Sequence, residues 1–146
     1  MISKKTLMKW RLWYWHNFKK GRVIVARDVS GSMMYGDYML ERMAETIKDL
    51  QTIAPTLVIV DFDHEIEDII PIKPGDDIPE PKGGYGGTNY QRLMEFVDAQ
   101  VCPGVIIISD GYGPMDIPRK TPAVLFCPEE HYQSTNLSFL WHFVFD

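Results

Sequence analysis

Cysteine is scarce in this chain, which has only Cys102 and Cys127 among its 146 residues. Both lie in apolar surroundings, and no CxxC pair or Cys/His spacing accompanies them, so a structural zinc site is not indicated. We expect two buried free thiols in a reducing compartment, which favours a cytoplasmic protein.

An excess of positive charge is also missing. The chain has 15 Lys and Arg against 20 Asp and Glu, for a formal net charge of −5, and this balance argues against a general nucleic-acid-binding protein. No apolar run approaches the length that crosses a bilayer, and no small-residue cleavage site follows the first lysines. We therefore expect neither a membrane nor a nucleic acid among the partners.

The basic residues are concentrated at the start, because residues 1–22 contain seven of the Lys and Arg and no acid. Apolar residues at helical spacing here are Leu7, Trp10, Tyr14 and Phe18. This spacing predicts an amphipathic helix within residues 1–21, followed by a single domain at 22–146. We expect the helix to pack across the sheet, since three tryptophans in water would be an unusual apolar patch. The alternatives are a docking surface for another subunit, a membrane surface or single-stranded nucleic acid.

Apolar, β-branched runs alternate with helical patterns in the remainder. The patterns predict strands at 22–27, 56–62, 65–72, 104–109, 121–127 and 137–146, and helices at 37–53 and 90–100. The short connection between the second and third strands favours an antiparallel pair. The alternation predicts a doubly wound, Rossmann-like α/β sheet, mostly parallel, with one antiparallel edge strand and helices on both faces.

Hard oxygen donors follow two of these strands and precede one helix. "DVSGSM" contains Asp28, Ser30 and Ser32, "GGTN" contains Thr88, and "ISDG" contains Asp110. In a doubly wound sheet such loops meet where the strand order reverses, so we expect these five side chains to lie together. Two carboxylates and three hydroxyls suit Mg²⁺, with Mn²⁺ or Ca²⁺ as alternatives.

In this order, the three motifs resemble the metal-ion-dependent adhesion site (MIDAS) of von Willebrand factor type A (VWA) domains. The resemblance extends from about residue 22 onward, and is greatest to compact bacterial and phage VWA-like domains found beside a metallopeptidase-like region. It implies direct metal ligation by Ser30, Ser32 and Thr88, with Asp28 and Asp110 acting through water or shifting between direct and indirect contact.

The resemblance also implies a function. A Glu or Asp of a partner protein would complete the coordination of the metal, and many bacterial members work with AAA+ ATPases of the MoxR kind. Such domains are typically not enzymes. Two positions depart from the usual pattern: Arg27 replaces an apolar residue beside Asp28, and Asn89 stands where the narrower group often has Asp. Gly86 and Gly87 are expected to let the backbone approach closely before Thr88.

Two other functions remain open. Asp61 and Asp63 in "VDFD" end an apolar strand with the D-x-D pattern of haloacid-dehalogenase-type phosphohydrolases, which use a nucleophile and an acid beside Mg²⁺. The following pattern reads as a strand instead of the expected helix, which counts against this hypothesis. A structural subunit that keeps the motif without a metal is the third hypothesis. We expect His64 to be a loop or strand-end residue and not a metal ligand, because no second His or Cys lies at ligand spacing.

Overall fold

A computed structural model describes residues 22–34, 37–52, 54, 56–84, 86–100, 102–111, 120–121, 123–127 and 141–144, together with Lys5 and Met8. The strands are β1 (Val23–Asp28), β2 (Leu57–Phe62), β3 (Ile66–Ile72), β4 (Val105–Ile108), β5 (Ala123–Cys127) and β6 (Trp141–Val144). The helices are α1 (Gly31–Met34), α2 (Asp37–Gln51) and α3 (Tyr90–Asp98).

The strands form one six-stranded sheet in the order β3-β2-β1-β4-β5-β6. β1 pairs in parallel with both β2 and β4, and β5 and β6 extend the parallel array. β3 pairs antiparallel with β2 at one edge. The predicted doubly wound sheet, its single antiparallel edge strand and the final edge strand are all confirmed. The strand order reverses at β1, which has its sequence neighbour β2 on one side and β4 on the other.

Each face of the sheet has its own hydrophobic core. Alternate residues of β1 point to opposite faces, so Val23 and Val25 join the core that contains Ile47 of α2, while Ile24 and Ala26 join the core that contains Leu93 of α3. These two cores are why β1, β4 and β5 are apolar on both sides. The helices therefore cover both faces, as predicted.

The structure departs from the sequence predictions at the end of β1. Residues 31–34, which the motif led us to treat as loop, form α1, so Ser32 is a helical residue. The backbone amides of Met33 and Met34 donate to the carbonyl of Ser30 and so begin this helix.

Both cysteines are free, but only Cys127 is fully buried, whereas Cys102 is half-buried.

The predicted N-terminal helix lies outside the described residues, apart from Lys5 and Met8, whose backbones are helical. In the part of the chain that the structure describes, no helix has both the length and the apolar character to cross a membrane.

Candidate metal centre

The candidate ligands lie at the carboxyl ends of β1 and β4, where the strand order reverses. Asp28 is the last residue of β1, and Asp110 follows β4 by two residues. β1 and β4 are parallel neighbours, with Arg27 opposite Ile108, so the segments that leave them start side by side. The topology therefore brings Asp28 and Asp110 to one edge of the sheet.

Asp28 is a fully buried carboxylate. Its Oδ1 accepts the backbone amide of Ser30 at 2.9 Å, and its Oδ2 accepts the hydroxyl of Ser109 at 2.6 Å. Among the residues that the structure describes, no cationic side chain forms an ion pair with it. Burial raises the pKa of Asp28 from 3.8 to about 6, against the opposing effect of these hydrogen bonds. A buried carboxylate without a counter-charge is a site that a cation would stabilise.

The two serines connect Asp28 to Asp110. The hydroxyls of Ser30 and Ser32 are 3.4 Å apart, and the Ser32 hydroxyl donates to the Oδ2 of Asp110. Ser30 and Asp110 are each 2% exposed, whereas Ser32 is an exposed residue. The four oxygen donors thus form a cluster that runs from a buried floor to a rim in contact with solvent.

Thr88 lies in a half-buried position on the loop next to this cluster. The backbone amide of Gly31 donates to the carbonyl of Gly86 at 3.1 Å, which fastens the "GGTN" loop to the start of α1. Asn89 caps α3, because its side chain accepts the backbone amide of Arg92 at 3.0 Å. The departure at Asn89 therefore has a structural role at the helix that begins directly after Thr88.

Asp63 anchors the same loop to the end of β2. Its Oδ2 accepts the backbone amide of Gly86 at 3.1 Å, and its carbonyl accepts that of Asn89 at 2.9 Å. A Cβ atom at Gly84 would lie 2.0 Å from Oδ2 of Asp63, and one at Gly86 would lie 2.8 Å from it. A Cβ at Gly87 would meet nothing within 4 Å. The expected close approach of another group to the glycine backbone is thus confirmed at Gly86 and wrong at Gly87. Gly84 makes a similar close approach, which the sequence did not predict.

Arg27, the second departure, is turned away from the candidate site. Its side chain is buried and makes two hydrogen bonds to Asp61, Nε to Oδ1 at 2.6 Å and the second terminal nitrogen to Oδ2 at 2.9 Å. Its remaining terminal nitrogen donates to the carbonyl of Pro79 at 2.6 Å. The positive charge of the guanidinium is therefore neutralised by the Asp61 carboxylate.

The same contacts bear on the phosphohydrolase hypothesis. Both oxygens of Asp61, the nucleophile in that hypothesis, accept hydrogen bonds from Arg27, and Asp63 is occupied by backbone amides of Glu65 and Gly86. β3 follows β2 directly as its antiparallel neighbour, in place of a helix. The geometry therefore offers no free nucleophile at the D-x-D pattern.

A second group of metal-ligand types was missed by the sequence analysis. Asp63, His64 and Glu67 place one ligand atom each within 4.8 Å of one another. A search for His and Cys at ligand spacing does not find this group, because the other two members are carboxylates, which can also ligate a metal. The group has an alternative explanation, since a hydrogen bond to Asp63 raises the pKa of Glu67 and a proton can then be shared between them.

Comparison with known proteins agrees with this fold. Residues 23–138 match the family model described as VWA-like domain (DUF2201). A solved structure, the ArnB paralog VWA2 from Sulfolobus acidocaldarius, superposes with a TM-score of 0.52 at 21% identity, covering 73% of this chain and 34% of that one. This chain thus spans about a third of that protein's length, and the likeness shows the fold alone. No curated protein matches the sequence. Because the family model covers most of the chain, the protein belongs to the VWA-like domain family DUF2201.

Proposed function

We propose that this chain is a protein-binding domain that works through a bound divalent cation. Asp28, Ser30, Ser32, Thr88 and Asp110 would hold Mg²⁺, with Mn²⁺ or Ca²⁺ as alternatives, and an acidic side chain of a partner protein would complete the coordination. The observation that carries this proposal is the convergence of hydroxyl and carboxylate oxygens from the β1 and β4 ends around a buried carboxylate that has no ion-pair partner among the described residues.

The donor chemistry supports a hard cation. All five side chains offer oxygen, and neither imidazole nor thiolate belongs to the set. Neutral hydroxyls as direct ligands leave the ion with positive charge, so an anionic ligand from outside is favoured. Ser32 is exposed, which keeps the rim of the cluster within reach of such a ligand. The bound cation would supply the electrostatic attraction, and the chain would supply its position and its open side.

VWA-like domains are generally interaction domains without enzymatic activity, which supports a binding role here. An AAA+ ATPase of the MoxR kind is the partner class that the family resemblance suggests, and an exposed Glu or Asp is the chemical feature it would need. A cytoplasmic location belongs to the same proposal.

The first test is thermal unfolding of the chain with Mg²⁺, Mn²⁺ or Ca²⁺. A cation that binds only the folded chain stabilises it by about 2.7 kcal/mol at a concentration of 100 times its Kd, so the Tm should rise with concentration. Ser32→Ala, Thr88→Ala and Asp110→Asn should each reduce the rise. Thr52→Ala makes the same chemical change as Thr88→Ala at an exposed position on another loop and should leave the rise intact.

Two results would reject the proposed site. If no cation alters the Tm, the chain does not bind one, and the structural-subunit hypothesis is favoured. If the rise in Tm is lost in Glu67→Gln but kept in Ser32→Ala, the ion binds at the Asp63–His64–Glu67 group. The binding role is tested by capture of proteins from native lysate on the immobilised chain with Mg²⁺ or with chelator. A partner retained equally in chelator, or equally by Ser32→Ala, would contradict a cation-bridged contact.

A further inference from the structure

Three buried hydroxyl and carboxylate groups form a chain of hydrogen bonds behind the candidate metal centre. The phenol oxygen of Tyr90 lies 2.5 Å from the hydroxyl oxygen of Ser109, which lies 2.6 Å from Oδ2 of Asp28. Tyr90 is 1% exposed, and Ser109 and Asp28 are fully buried. Neither residue was predicted as a ligand: Ser109 lies in "ISDG", where only Asp110 was taken as one, and Tyr90 follows "GGTN" directly.

The direction of these hydrogen bonds follows from counting protons. A serine hydroxyl has one proton and two lone pairs, and an ionised carboxylate can only accept. Ser109 therefore donates its proton to Asp28, and its lone pairs accept the phenol of Tyr90 and the backbone amide of Gly111, the latter at 3.1 Å. Burial raises the pKa of Tyr90 well above its ordinary value, so the phenol keeps the proton that this arrangement requires.

This chain of bonds connects the segments that carry the candidate ligands. Tyr90 is the first residue of α3, two positions after Thr88, and Ser109 immediately precedes Asp110. Asp28 ends β1. One continuous set of hydrogen bonds thus ties the loop of Thr88 to the loop of Asp110 and to the buried carboxylate.

On the basis of the proposed cation site, we infer that Tyr90 and Ser109 are positioning residues, which hold the Asp28 carboxylate in the orientation that cation binding requires. Oδ2 accepts from Ser109 while Oδ1 accepts from the amide of Ser30, so both oxygens are held from the protein side. Each oxygen keeps a further lone pair for a cation or its water. Partners of this kind orient metal ligands, and their loss typically weakens metal affinity by about 10- to 100-fold.

The two residues should differ in their effect. Ser109→Ala removes the donor to Asp28 and also leaves the Tyr90 phenol without its acceptor, whereas Tyr90→Phe leaves the Ser109–Asp28 bond in place. Ser109→Ala should therefore weaken Mn²⁺ binding about 10- to 100-fold, and Tyr90→Phe should weaken it less. Because Tyr90 acts through Ser109, adding Tyr90→Phe to Ser109→Ala should cause little further loss.

The test is calorimetric titration of the full chain with Mn²⁺. Ser109→Thr keeps the hydroxyl and should bind Mn²⁺ more tightly than Ser109→Ala. Thr46→Val is the control for loss of a buried hydroxyl elsewhere, because Thr46 is 1% exposed and donates to the Arg42 carbonyl within α2. It should lose stability and keep the Mn²⁺ affinity of the unaltered chain. If Ser109→Ala does not fold, the Mn²⁺ affinity of Tyr90→Phe is the deciding measurement, because this variant retains the ring that packs in the core.

The outcomes separate this inference from the function on which it rests. If Ser32→Ala abolishes Mn²⁺ binding but Tyr90→Phe and Ser109→Ala bind as the unaltered chain does, the cation site stands and the positioning role is overturned. Equal affinities of Ser109→Thr and Ser109→Ala would also overturn it, because the hydroxyl would then contribute nothing. If the unaltered chain binds no Mn²⁺, the proposed function fails and this inference fails with it.

Discussion

Arg27 and Asp61 are partners in the parallel register of β1 and β2, and their side chains form a buried, two-pronged ion pair. Arg27 follows Val23 and Val25 on the α2 side of the sheet, whereas Asp28 follows Ile24 and Ala26 on the α3 side. The alternation of a strand thus separates two neighbouring charges of opposite sign. The guanidinium of Arg27 therefore does not neutralise the Asp28 carboxylate, although the two residues are adjacent in the chain.

Removal of one member of this ion pair should destabilise the chain strongly, whereas replacement of both members by apolar residues should change its stability little. Asp61→Leu leaves the Arg27 guanidinium buried without its carboxylate and should lower the free energy of unfolding by about 3–5 kcal/mol. Arg27→Met combined with Asp61→Leu removes both charges and should recover most of that loss. Urea unfolding of the single and double variants measures both effects. A single variant as stable as the unaltered chain would contradict the paired geometry.

Asp28 should make the stability of the chain depend on pH in the absence of divalent cations. Its pKa is raised to about 6 in the folded chain, so the folded state holds the proton more tightly than the unfolded state does. This contribution to stability is complete below about pH 4, declines as pH rises to about 6, and amounts to about 3 kcal/mol. The unaltered chain should lose this stability relative to Asp28→Asn over that range.

The measurement is urea unfolding of both proteins from pH 4 to pH 7 in chelator. Addition of Mg²⁺ above pH 6 should offset the loss in the unaltered chain, because a cation stabilises the ionised carboxylate, and should have no such effect in Asp28→Asn. Parallel stability curves for the two proteins in chelator would show that Asp28 does not titrate in this way.

Gly84 and Gly87 provide a matched pair of substitutions in the loop before Thr88. Gly84→Ala would set a Cβ 2.0 Å from the Asp63 carboxylate, so the loop has to shift and the anchor through Gly86 should weaken. We expect a loss of stability and a smaller response of the Tm to Mn²⁺. Gly87→Ala meets nothing within 4 Å and should change stability by less than about 1 kcal/mol. Equal behaviour of the two variants would contradict the role of Asp63 as the loop anchor.

The elements of the fold were largely predictable, because local patterns determine them. Continuous apolar runs with β-branched residues identified β1, β2, β4 and β5, and the helical spacing of apolar residues identified α2 and α3. The short connection "DH" between the predicted strands at 56–62 and 65–72 indicated the antiparallel β2–β3 pair. α1 was not predictable in this way, since four residues are too few for a periodic pattern and its start depends on the carbonyl of Ser30.

The amino-acid sequence alone determined the order along the chain of the six strands and of α2 and α3. It also placed Asp28 and Asp110 at one edge of the sheet, because parallel strands that alternate with helices bring their carboxyl ends together. Tertiary structure alone decided that Arg27 binds Asp61, that Asp63 holds the glycine loop, and that Ser109 reaches Asp28 from 81 residues away. Those contacts depend on the register in which distant strands pair and on the face of the sheet to which each side chain points. Local composition does not contain that information, since a shift of one residue in β1 would turn the Arg27 side chain to the other face of the sheet.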